Sequence, residues 1–135
     1  MSGKSKVPAP KGPYSPWVKA GGFIYVSGQG PIDPETGEAD LGDIAKQTRI
    51  TLANVEAVLA DAGASLGDVV KTTVFLTDIG NFKPMNEVYA QVFGQVRPAR
   101  STVGVAALPL GISVEIEAVA VDPASGMKVS RTGGN

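Results

Sequence analysis

The chain has 135 residues with 12 basic and 13 acidic side chains, a net charge of -1, and neither cysteine nor histidine. Without these two residue types there is no disulfide framework, no thiolate or Ser-His-Asp nucleophile, and no ordinary thiolate or imidazole metal site. An apolar fraction of 43% and scattered basic residues fit one globular domain with its own core and disfavour a nucleic-acid partner, which calls for basic charge gathered on one face.

The opening residues, MSGKSKVPAPKG, contain no apolar h-region. No apolar run reaches the roughly 18–20 residues of a membrane span, so the expected location is the cytoplasm and no membrane partner is expected. Residues from Tyr14 to Ala20 and from Phe23 to Ser27 favour strand, with Gly21-Gly22 as a tight turn between them. IDPETGEAD then reads as a surface turn region. A long helix is predicted from Asp43 to Ala62. Ile44, Thr48, Leu52, Val55, Val58, Leu59 and Ala62 recur at spacings of three and four and form one buried stripe, with Asp43 as N-cap and Gly63 as stop. Val69 to Leu76 is β-branched and aromatic and predicts a strand. A second helix is predicted from Phe82 to Phe93, with Pro84 tolerated in its first turn. Strands at Ser101–Ala106 and Ser113–Val121 flank the loop ALPLG. Residues 1–122 are thus expected to form a single domain, and the polar Gly- and Ser-containing residues 123–135 a flexible tail.

The order β-β-α-β-α-β-β defines an α+β sandwich with two helices on one face of a mostly antiparallel sheet. No third helix remains for the other face, and oligomerisation is the simplest way to cover it. If LPLG closes a hairpin with Ala107 opposite Ile112, then Arg100 and Thr102 share a face with Glu115 and Glu117. The reading depends on that register, because a slip of one residue reverses it. A guanidinium matches a carboxylate bidentately and stays charged at any working pH, so Arg100 suits an anionic ligand. Glu115 beside it would hold a water and a proton, or simply pair with it; on spacing alone the structural ion pair is favoured about two to one. Asn86 lies on one helical stripe with Phe82, Tyr89 and Phe93 and needs a hydrogen-bond partner in a strand or in a ligand. Tyr14 and the run Ser27-Gly28-Gln29-Gly30 are further candidates, the small residues allowing close approach; no phosphate-loop pattern is present.

Taken in order, GPYSPWV, IYVSGQGPIDPETGE, NVEAVLADAGASLGDVVKTTVFLTD, FKPMNEVYAQVF, RPARSTV and LPLGISVEIEAVA resemble the RidA/YjgF family of reactive-intermediate imine deaminases over about Gly12 to Asp122. The resemblance implies a chorismate-mutase-like fold, assembled as a homotrimer with an inner β-barrel and active sites between subunits. It implies hydrolysis of 2-imino acids such as 2-iminobutanoate and 2-iminopropanoate to 2-keto acids and ammonia, with no cofactor and no metal. Arg100, of PAR[ST], corresponds to the carboxylate clamp, and Glu115, the first glutamate of VEIEA, to the group that positions water and manages the proton. Tyr14, Ser27 and Asn86 correspond to residues lining the cleft. Thr102 stands where some members have cysteine, at a position whose backbone carbonyl helps hold the water. The pattern departs at FGQVRPAR, which is shorter than in the best-known imine deaminases and carries Arg97 in place of an aromatic. That departure bears on substrate range and leaves open a larger substrate such as aminomuconate. A regulatory ligand-binding trimer and an RNA-cleaving or translation-inhibiting activity are the alternatives from other classes.

Overall fold

The computed structural model describes residues 6–133. Residues 1–5 of the expected domain and 134–135 of the expected tail lie outside the described residues. Five strands form one sheet: β1 (Trp17–Ala20), β2 (Phe23–Gln29), β3 (Val69–Leu76), β4 (Ala99–Gly104) and β5 (Val114–Val121), in the spatial order β1-β2-β5-β3-β4. Helices α1 (Ile44–Asp61) and α2 (Phe82–Phe93) both pack on one face. The fold class is therefore the expected α+β arrangement, and every predicted element is present within a few residues of its expected ends.

Local chemistry accounts for the boundaries. Gly21 and Gly22 adopt φ of 60° and 88°, the left-handed pair a two-residue hairpin requires, and Ala20 pairs directly with Phe23. Asp43 caps α1 by accepting from the Lys46 amide at 2.9 Å. Beyond the other end, Gly63 takes φ 88° as the helical chain turns away. The α1 stripe predicted from spacing is the buried one: Leu52, Val55, Val58 and Leu59 are wholly inaccessible to solvent. They meet Ile24, Val26, Val74, Leu76, Ile116 and Ala118 from the sheet, and Met85, Tyr89 and Phe93 from α2.

One expectation about connectivity is overturned. β4 does not form a hairpin with β5, and Ala107 is not paired with Ile112. β3 lies between the two strands, parallel to β4 and antiparallel to β5. The connection after β4 passes around the end of β3 instead of folding back beside β4. The Val105 amide donates to the Leu76 carbonyl at 2.8 Å, and the Thr77 amide to the Ser113 carbonyl at 3.2 Å. Faces follow from the rows across the sheet. Arg100 lies opposite Thr72, and Thr72 opposite Ala118, both buried under the helices. Glu115 lies opposite Phe75 and Glu117 opposite Thr73, on the other face. Arg100 and Glu115 thus point to opposite sides of the sheet within one chain.

The face carrying Glu115 has no helix over it. Val18, Tyr25 and Val103 lie there with about half of their surfaces exposed, at 52%, 46% and 41%. After β5, Asp122 pairs with Lys19 at 3.5 Å, and the Arg131 guanidinium donates to the Gly67 carbonyl at 3.1 Å. Among the described residues no helix is long and apolar enough to cross a membrane.

Candidate functional site

On the helix side, β4 is an edge strand, so a long side chain leaving it runs beside α2 without entering the core. Arg100 does this. Its guanidinium lies 4.7 Å from the centre of the Tyr89 ring and 5.6 Å from that of Phe82, two cation–π contacts that hold the group by its faces. Tyr89 is fixed in turn by a buried 2.7 Å hydrogen bond between its hydroxyl and Thr72 Oγ1. Burial raises the Tyr89 phenol above its ordinary pKa, outweighing the Thr72 hydrogen bond and the nearby Arg100 charge, so it stays neutral. Among the described residues the side-chain ion pairs are Lys19–Asp122 and Lys46–Asp40, neither of which involves Arg100. Arg100 borders a cavity of about 360 Å³, with Asn86, Tyr89, Phe93, Arg97 and Pro98 among its lining. Asn86 Oδ1 is buried without a hydrogen-bond partner, and so is Thr102 Oγ1 in the same strand as Arg100.

On the open face is a groove of about 400 Å³ lined by Tyr14, Ser27, Gly28, Pro109, Glu115 and Glu117. It forms because β2 loses its regular register with β5 between Val26 and Gln29, just where Ser27 and Gly28 lie. The Ser27 hydroxyl donates to the Ser15 carbonyl at 2.6 Å, which fastens the segment preceding β1. The Tyr14 hydroxyl accepts from the Lys11 amide at 3.2 Å. A Cβ at Gly28 would overlap the Glu115 carboxylate where it lies, so that side chain would have to shift. The glycine lets Glu115 lie directly against the β2 backbone.

Burial raises the Glu115 pKa above the ordinary carboxylate value, and the like charge of Glu117 raises it further. Glu115 therefore holds a proton to higher pH than an exposed glutamate. Replacing Glu117 by Gln removes the second cause, so the Glu115 titration midpoint is expected to move to lower pH. A side-chain carboxyl NMR titration checks this, and an unmoved midpoint would leave burial as the sole cause.

The expected residues therefore fall into two groups. Arg100 and Asn86 share the helix-side cavity, with Thr102 on the same face, while Tyr14, Ser27 and Glu115 share the groove on the open face. Phe82 and Tyr89, which frame the guanidinium, were visible in the sequence only as members of the Asn86 stripe. Their signal is the four-three spacing, which sets both rings on one side of α2. Among the described residues no group of three His, Cys, Asp or Glu side chains is placed to hold a metal ion.

This arrangement of sheet and helices has close counterparts among known proteins. The family described as Endoribonuclease L-PSP, that of RidA and YjgF, matches residues 4–122, and the chain belongs to it. A RutC family protein of Pyrococcus abyssi is 54% identical over 115 residues, covering 85% of this chain and 91% of that one. TdcF of Escherichia coli, which carries the provisional name reactive intermediate deaminase, is 44% identical over 86% of this chain and 92% of its own. The crystal structure of E. coli TdcF with bound serine superposes with a TM-score of 0.81 at 44% identity, covering 86% of this chain and 93% of that one. RidA from an Antarctic Psychrobacter superposes with a TM-score of 0.82 at 45% identity, covering 86% and 94%.

Proposed function

We propose that this chain is a hydrolytic deaminase of reactive 2-imino acids, of the 2-iminobutanoate and 2-iminopropanoate type, working as a homotrimer with its sites between subunits. The observation that carries the reading is Arg100, whose guanidinium is held by two aromatic faces at a cavity mouth and engages no carboxylate among the described residues. A fixed cation of this kind suits a small carboxylate. TdcF has been solved with serine, a small amino acid, bound. Because Arg100 and Glu115 face opposite sides of the sheet, one chain cannot place both on one substrate. Setting the β4 edge of one subunit against the open sheet face of the next brings the two groups together and covers Val18, Tyr25 and Val103.

In that site Arg100 holds the substrate carboxylate in a two-point contact and turns C2 toward a water held by Glu115 of the partner subunit. The ionised Glu115 accepts a proton as the water oxygen bonds to C2, giving a carbinolamine. It returns the proton to nitrogen, and the C–N bond breaks as the carbinol oxygen forms the keto C=O and its proton passes to the departing ammonia, so that the 2-keto acid and ammonium leave. Free iminium ions already hydrolyse in water, so positioning and one proton-transfer group supply the acceleration required.

A trapping assay tests the reading. A pyridoxal-phosphate threonine dehydratase supplies 2-iminobutanoate, and semicarbazide captures whatever escapes hydrolysis. Wild-type protein is expected to lower the yield of adduct, and Glu115→Gln to lower it far less. No reduction by the wild type would overturn the proposal, and RNA cleavage in its place would favour the ribonuclease alternative.

A further inference from the structure

A second arginine, Arg97, borders the helix-side cavity, and hydrolysis of a monocarboxylate does not use it. We propose that Arg97 is a second carboxylate clamp, and that the preferred substrates are 2-imino acids carrying a second, distal carboxylate. The inference rests on the deaminase reading and narrows it to a substrate class.

Three observations carry it. Arg97 and Arg100 both line the cavity, and no acidic side chain does. Its volume of about 360 Å³ falls within the range of pockets for ligands much larger than a short aliphatic imino acid. Finally, Arg97 is held in a left-handed conformation, φ 47° and ψ 65°, a backbone cost of about 1–2 kcal/mol for a residue with a Cβ. Its neighbours flank that turn without requiring it, because a residue before proline is steered to extended backbone, not to the left-handed region. Gly94 reverses the chain after α2 at φ 57°, and buried Pro98 anchors the far side while steering the preceding residue away from the right-handed helical region. Strain of this kind persists where the surroundings fix a side chain for a purpose.

The charge pattern identifies the ligand. Two cations bordering one cavity with no carboxylate in its lining repel each other, and a dianion relieves both. A monoanion satisfies Arg100 alone. Arg97 also borders the neighbouring groove beneath residues 129–133, where Arg131 lies. The Arg131 guanidinium is engaged with the Gly67 carbonyl, and of these two arginines only Arg97 also borders the helix-side cavity. The reaction is unchanged: water adds to C2, ammonium leaves, and a 2-keto dicarboxylate is the product.

The test compares 2-iminobutanoate with 2-iminoglutarate, released from glutamate by an amino-acid oxidase. It also measures calorimetric binding of the products 2-oxobutanoate and 2-oxoglutarate to the intact protein. Arg97→Gln is expected to reduce kcat/KM for 2-iminoglutarate about tenfold more than for 2-iminobutanoate, with the loss in KM and partial recovery in Arg97→Lys. Equal losses on both substrates, or a loss of subunit assembly by sedimentation, would make Arg97 a rim contact and overturn the clamp. Turnover of 2-iminobutanoate with an unchanged substrate ratio in Arg97→Gln would remove the clamp and leave the deaminase reading intact. Conversely, Arg97-dependent binding of 2-oxoglutarate without turnover of either imine would support the clamp while removing the deaminase reading.

Discussion

Co-assembling Arg100→Ala subunits with Glu115→Ala subunits in equal amounts is expected to restore about a quarter of the wild-type deaminase rate, although each variant alone is nearly inactive. Losing the clamp leaves the substrate carboxylate without its partner and C2 free to turn away from the water. A misplacement of about 1 Å costs roughly a hundredfold in rate, so about one per cent activity is expected of Arg100→Ala alone. Recovery on mixing follows from the faces. Arg100 shares the helix side with Thr72 and Ala118, whereas Glu115 shares the open side with Phe75. If each site takes its arginine from one subunit and its glutamate from the next, a random ring holds an intact pair at about one interface in four. A site contained in one chain gives no recovery, because every chain then carries a lesion. The rate after co-refolding, set against the two variants refolded separately, decides between these outcomes.

The same geometry shows what the sequence could and could not convey. The α1 stripe was legible because helical periodicity and burial are both local: Leu52, Val55 and Leu59 face inward wherever the helix is placed. Strand faces are different. Alternation relates Arg100 to Thr102 and Glu115 to Glu117, but it relates the two strands only through an assumed pairing partner. ALPLG looks like a hairpin loop. The information that β3 inserts between β4 and β5 lies in long-range contacts such as Val105 to Leu76 and Thr77 to Ser113, which no local pattern encodes. The candidate site residues were raised by side-chain chemistry and given roles through motif resemblance, which carries positions across without carrying faces. The parting of Arg100 from Glu115 had to come from coordinates. Arg97 was conspicuous in the sequence only as a departure, and its left-handed backbone gives the departure a physical setting.

Both halves of the groove on the open face depend on amides projecting from α1. Gln47 Oε1 accepts from the Ser113 amide at 2.8 Å and its Nε2 donates to the Gly42 carbonyl at 2.8 Å, which fixes the chain just ahead of β5 and so ahead of Glu115. Asn54 Nδ2 does the same just beyond β2, past Ser27 and Gly28.

Asn54 is therefore the position where one substitution is expected to cost the most stability. Its Nδ2 donates to the Gly30 carbonyl at 2.9 Å and to the Ile32 carbonyl at 2.8 Å, with only 4% of the residue exposed. In Asn54→Leu the Ile32 carbonyl loses its donor, while the Gly30 carbonyl keeps the Ile32 amide at 2.8 Å, at a cost of about 1–3 kcal/mol before relaxation. Asn54→Asp nearly preserves the shape yet is expected to be worse, by about 3–5 kcal/mol relative to the wild type, because a buried acceptor then faces two acceptors and carries a charge. The pH dependence has a definite sign. Burial beside two carbonyl oxygens raises the folded-state pKa of the introduced carboxylate above its unfolded value. The penalty is therefore complete above the folded pKa, shrinks as the pH falls through it, and reaches its minimum below the unfolded pKa, where the protonated acid can donate to one carbonyl. Thermal unfolding at matched subunit concentration should show Asn54→Asp below Asn54→Leu at neutral pH, with the gap closing in acid. Equal melting points for the two variants at neutral pH would mean that the Ile32 carbonyl finds another donor, and that α1 does not hold the β2 end of the groove in place.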